Sequence, residues 1–88
     1  MSISSIYYTS NFEKHFKKLP ISIKRKAIFK EKLFRKDPMH ADLKTHALSG
    51  RLKGYHSFAI THHYRIMFKF EKDGSVTFID TGTHSIYR

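Results

Sequence analysis

YHSFAITHHYRIMFKFEKDGSVTFIDT, residues 55–81, carries the pattern on which the fold turns. Tyr64, Ile66, Phe68 and Phe70 share one side of an extended chain, while Arg65, Met67, Lys69 and Glu71 share the other. A period of two marks a strand with one buried face. Asp73-Gly74 then supplies a hairpin turn, and Val76 to Thr81 is the returning strand. Upstream, Tyr55 to Ile60 reads as a further strand, joined to the middle one by a tight Thr61-His62-His63 connection. Three antiparallel strands are therefore expected in the second half.

Towards the amino end the period changes. Ile3 to Thr9, rich in Ile and Tyr, reads as a short strand. Ser10 followed by Glu13 has the spacing of a capping box, in which hydroxyl and carboxylate satisfy each other's orphan amides. The helix that follows places Phe12, Phe16 and Leu19 on one face and stops at Pro20. That proline suits the first position of a second helix, where its missing N–H is not needed. The second helix should run to about Lys36, because the residue before Pro38 disfavours helical angles. Ile23, Ala27 and Phe34 make its apolar stripe, with Lys24, Arg25, Lys32, Arg35 and Lys36 opposite. Ile28 and Phe29 fall on the flanks, where they either pack on the first helix or serve a partner. The expected class is α+β: an N-terminal strand, two helices, then a three-stranded antiparallel sheet, in one domain spanning residues 1–88.

Composition narrows the function. Seventeen Lys and Arg against seven Asp and Glu give a formal charge of +10. Such self-repulsion is relieved by an anionic partner, and nucleic acid is the leading class, since neutralised phosphates release counterions. An apolar content of 40%, including eight Phe and five Tyr, suffices for one core, so disorder is not expected. The absence of Cys excludes disulfides, thiol catalysis and Cys-based zinc sites. The start, MSISSIYYTS, lacks a charged segment followed by an apolar one, and no run approaches the roughly 20 apolar residues of a membrane span. A cytoplasmic protein with no membrane partner is the expectation.

Three fragments carry a family resemblance: Leu48 to Tyr55 (Leu-x-Gly-x-x-Lys-Gly-Tyr), Tyr64 to Phe68 (Tyr-Arg-Ile-x-Phe), and Gly82 to His84 (Gly-Thr-His). In this order, on a basic chain of this length, they resemble the RelE/StbE and YafQ-like branch of the RelE/ParE toxin superfamily. The likeness covers roughly residues 43–88. It implies a RelE-like microbial RNase fold and a toxin that cleaves mRNA on the ribosome without a metal. It also implies a cognate acidic antitoxin protein as partner.

Metal-free RNA cleavage needs a base for the 2′-hydroxyl, cations for the phosphorane, and an acid for the departing 5′-oxygen. The few carboxylates lie in caps, connections, a helix and one strand, so proton transfer falls to histidine, with its pKa near 6.5. The resemblance implies His84 as general acid, in the Gly-Thr-His position, and His46, which matches a histidine of YafQ-like members, as base. Arg65 emerges from a rigid strand, a good placement for a guanidinium that grips phosphate. Tyr87 resembles the terminal tyrosine of many family members, suited to stacking on a base or to proton transfer. His63 stands in a turn that is often acidic in YafQ-like relatives, and Ala59 replaces a histidine found in some of them. His63 therefore either takes over that lost role or decorates the turn. Lys44, Arg51, Lys53 and Arg88 are candidates for holding the RNA backbone. No metal site is expected, because no His-x-x-x-His helix with a supporting carboxylate occurs. Two other classes compete: a ParE-like inhibitor of DNA gyrase, and a basic RNA-binding module without catalysis. The set His46, Arg65 and His84 favours RNA chemistry over both.

Overall fold

A computed structural model describes residues 2–87. It has the α+β class expected, with two helices laid on one sheet. The elements are β1 (Ile6–Tyr8), α1 (Ser10–Lys17), α2 (Ile21–Lys36), β2 (His46–Ala47), β3 (His56–Ala59), β4 (Arg65–Phe70) and β5 (Val76–Gly82). A 3-10 turn, His84–Tyr87, follows β5.

The sheet has five strands rather than the expected one-plus-three, in the order β1-β5-β4-β3-β2. β5 enters the middle, parallel to β1 and antiparallel to β4. The extra strand, β2, holds only two residues and pairs with β3 through His46↔Ser57 and Ala47↔His56. So short a segment has no period to detect.

α2 crosses the sheet through one side chain. The Phe34 ring lies 4.8 Å from Phe58, 4.8 Å from Phe68 and 5.6 Å from Phe78, which touches β3, β4 and β5 at once. Ala27, Leu43, Ile66 and Val76 are buried around it. The alternation in β4 holds for Ile66 and Phe68, but Met67, assigned to the polar side, is also buried. The ladder slips by one residue between Met67 and Phe68, leaving Ile79 without a partner on β4. The second face is covered at this point: Met67 pairs with Ser57, whose hydroxyl accepts from the Tyr87 hydroxyl at 2.8 Å.

Both helix starts sit one residue from the expected place. The cap of α1 is Thr9, not Ser10: its hydroxyl oxygen accepts the Phe12 amide at 3.0 Å and its proton goes to the Ile79 carbonyl at 2.7 Å. Pro20 precedes α2 as its cap, with extended angles, rather than opening it. Ile28 lines a groove with Phe12 and Phe16 of α1 yet remains 54% exposed, and Phe29 is 67% exposed. No helix among the described residues is long and apolar enough to cross a membrane.

Candidate active site

Residues paired across a ladder share a face of the sheet, as do residues two apart on one strand. His46 is opposite Ser57, Ser57 is opposite Met67, and Arg65 lies two residues before Met67. His46 and Arg65 therefore stand on the same face, away from the helices. The 3-10 turn lays Tyr87 onto that face through its bond to Ser57. His84 packs against Tyr87 edge to face, with ring centroids 5.8 Å apart. Arg51 reaches the Tyr87 carbonyl at 3.4 Å. Five expected residues, His46, Arg51, Arg65, His84 and Tyr87, are thus joined by register or contact.

The imidazole of His46 has a defined tautomer. Its Nδ1 lies 3.2 Å from the Lys44 carbonyl, which can only accept, so Nδ1 carries the hydrogen. In the neutral ring Nε2 then keeps its lone pair, on an exposed side chain.

Arg65 is positioned from its backbone, where its carbonyl accepts the Thr81 hydroxyl at 2.9 Å. Its Nε is buried with no hydrogen-bond partner among the described residues. Glu71, just beyond the far end of the same strand, accepts from the Thr77 hydroxyl at 2.6 Å. A buried, unanswered donor costs about 1–3 kcal/mol, and an anion at this spot answers it. Arg65 also lines a cavity of about 170 Å³ with Lys44, Lys30, His62 and one carboxylate, Asp42, so cations outnumber anions there. Lys30 was not singled out by sequence; it arrives from α2, held by the Asp42 carbonyl at 3.1 Å. Lys44 is the one described non-glycine residue with positive φ, at 51°. For an L-residue that costs about 1–2 kcal/mol, and the lysine so held lines this cavity.

Other candidates stand apart. His63 is exposed in the β3–β4 turn, edge-on to His62 at 5.1 Å, and is not among the residues that line the cavity at Arg65. Lys53 is exposed and closes the 3-10 turn Gly50–Leu52. Arg88 lies outside the described residues.

Two further histidines gain roles that the sequence did not suggest. His56 packs between the rings of Phe68 and Phe70, at 5.6 and 4.9 Å. Burial, and after it the nearby charge of His46, lowers its pKa below the ordinary 6.5. His15 of α1 bonds Asp80 of β5 at 2.6 Å. These residues are 65 positions apart, and only the packing of α1 on the sheet brings them together. Among the described residues, no three His, Asp or Glu side chains form a set that could hold a metal ion.

Comparison with known proteins points one way. The family model described as the bacterial toxin of a type II toxin-antitoxin system, YafQ, matches residues 4–87. The fold is similar to that of a YoeB/ParE toxin from Agrobacterium tumefaciens, at 17% identity and a TM-score of 0.77, covering 91% of this chain and 98% of that one. It is similar to the Escherichia coli DinJ-YafQ toxin-antitoxin complex at 24% identity and a TM-score of 0.75, covering 98% and 97%. It is also similar to the RelBE2 toxin-antitoxin complex of Mycobacterium tuberculosis at 16% identity and a TM-score of 0.77, covering 96% and 100%. No curated protein sequence matches the chain.

Proposed function

Since this chain belongs to the YafQ family of bacterial toxins of type II toxin-antitoxin systems, we propose that it is a metal-independent endoribonuclease that cuts mRNA on the ribosome and so halts translation. The observation that supports this reading most is the buried Nε of Arg65, without a hydrogen-bond partner among the described residues, on the sheet face that also carries His46, Tyr87 and His84.

The chemistry follows from the roles the side chains can fill. Nε2 of His46 takes the proton of the RNA 2′-hydroxyl, and the 2′-oxygen attacks the adjacent phosphorus. Arg65, with Lys44 and Lys30 beside it, holds the phosphate as charge builds on its free oxygens. His84 gives its proton to the 5′-oxygen as the phosphorus–oxygen bond breaks. The products are a 2′,3′-cyclic phosphate and a 5′-hydroxyl. Exchange of the two histidine roles is chemically equivalent, and a pH profile of the variants separates the assignments. Tyr87 offers a ring on which a flanking base stacks. Arg51 supports that ring from its carbonyl side and adds positive charge beside it.

The partner follows from the same charges. Among the described residues, Arg35, paired with Glu31 at 3.2 Å, is the one Lys or Arg side chain in an ion pair. We assign the rest of this surface to an acidic antitoxin that covers the cationic cavity and masks the site. The solved relatives include two toxins in complex with antitoxins, which supports that assignment.

Primer extension on cellular mRNA after brief expression tests the function. Breaks inside translated codons are expected, and Arg65→Ala or His84→Ala should lower their frequency about 10²- to 10³-fold, the usual loss on removing one transition-state donor. DNA damage with intact transcripts would instead identify a gyrase inhibitor, and undiminished cutting by both variants would remove these residues from the mechanism.

A further inference from the structure

Exposed apolar side chains concentrate on one helix surface. Six large ones are more than a third exposed among the described residues, and three of them, Ile21, Ile28 and Phe29, lie on α2. The sheet-facing side of that helix is already filled by Ala27 and Phe34, so the core does not need these three. Ile28 borders a groove of about 340 Å³ between α1 and α2. Its apolar lining is completed by Tyr8, Phe12 and Phe16, the two Phe rings stacked at 5.7 Å.

The charges around this surface are mixed in the groove and positive beside it. Glu13, Lys17 and Glu31 are the charged residues that line the groove. Glu31 is already engaged, by the Tyr8 hydroxyl at 2.8 Å and by Arg35 at 3.2 Å. Glu13 has Lys17 one helical turn away, the spacing at which opposite charges attract. On α2, Lys24, Arg25 and Lys32 stand three or four positions from Ile21 or Ile28, and hence on the same side. None of these three, nor Lys17, is in an ion pair among the described residues.

Such a face is a poor match for a second copy of itself. A symmetric contact would set Arg25 and Lys32 against their own images. It is a good match for a helix whose apolar anchors recur turn by turn with carboxylates beside them.

We propose that the α1–α2 groove and the Ile21–Phe29 face of α2 dock an amphipathic acidic helix of the antitoxin. Its apolar anchors cover Ile21, Ile28 and Phe29, and its carboxylates meet Lys24, Arg25 and Lys32. This face lies away from the sheet surface that carries His46 and Arg65. Holding the partner and covering the site therefore use separate contacts. The inference deepens the partner reading above, but its test reads binding alone.

Isotope-labelled protein is titrated with two designed peptides of about 20 residues, long enough to hold a helix alone. Both contain the same Leu, Glu, Ala and Gln residues. In one the Leu side chains share a helix face, and in the other they are scattered around it. The first should move the NMR signals of Phe16, Ile21, Ile28 and Phe29, with an affinity that falls as salt is added. The scattered peptide should bind about tenfold more weakly, the loss expected when one apolar anchor is removed. Ile28→Glu, at a position already exposed, should weaken the first peptide by a similar factor and leave mRNA cutting unchanged. Phe29→Glu carries the test if that variant loses its dispersed spectrum. Equal affinity for the two peptides, no binding of either, an undiminished affinity in the variant, or shifts confined to the cavity at Arg65 overturns the docking surface. A dimer in sedimentation that Ile28→Glu dissolves gives the face to a second copy and overturns it too. Because mRNA cutting is read separately by primer extension, a loss of cutting with peptide binding retained removes the ribonuclease reading alone.

Discussion

A histidine's meaning is set by what touches its ring nitrogens, and three rings here show the range. His46 has Nδ1 tied to a carbonyl, His15 has Nδ1 tied to a carboxylate, and His56 has a buried Nδ1 with no partner among the described residues. The first was legible in the sequence because it precedes a motif. The other two were not, because their surroundings come from strands and helices distant along the chain. His56 also makes a pH prediction. Burial lowers its folded pKa beneath the unfolded value of 6.5, so below that pH the unfolded chain binds more protons. Its contribution to stability is whole above about pH 6.5 and is lost as pH falls from there towards the folded value. His56→Phe keeps the aromatic packing with Phe68 and Phe70 and removes the titration. Thermal melts at pH 7.5 and 5.5 should show a smaller drop in Tm for this variant than for the parent. An equal drop would mean that His56 is not an acid-labile point.

At the level of elements, sequence periodicity delivered both helices and the long strands, and faltered where tertiary contacts decide. Ser10 and Glu13 have the spacing of a capping box, yet Thr9 caps α1 because its hydroxyl also reaches the Ile79 carbonyl at the β5 bulge. One side chain thereby fixes the helix start to the strand that ends at the candidate site. Thr9→Ala should cost about 1–2 kcal/mol in urea unfolding, whereas Ser10→Ala should stay within about 0.5 kcal/mol. The reverse ranking would restore the cap to Ser10. Met67 failed the alternation for a related reason: the turn at His84–Tyr87 folds over what would otherwise be the open face of the sheet. The same turn gathers the candidate site. Gly-Thr-His was readable as a motif, but not as a lid on Ser57.

Over the whole molecule, a charge of +10 is crowded into a body with principal extents of 31 × 28 × 25 Å. The sequence revealed that excess but not its focus, which arises because α2 and the segment before β2 deliver Lys30 and Lys44 to the side of Arg65. A polyvalent oxyanion bound there should raise stability by mass action. Sodium phosphate is therefore expected to raise Tm more than sodium chloride at equal ionic strength, and Arg65→Ala should erase the difference. Identical responses to the two salts would mean that general screening accounts for the effect.

The placement of β5 between β1 and β4 also governs when the candidate site can form. During synthesis, β1 emerges early and waits for a mate that lies some seventy residues downstream, in the register Ile6↔Val76. Until that strand and the segment beyond it clear the exit tunnel, Arg65 lacks its Gly82 neighbour and His84 has no ring to lean on. A nascent chain without β5 thus lacks the assembled candidate site, because nothing yet joins the first strand to the rest of the sheet.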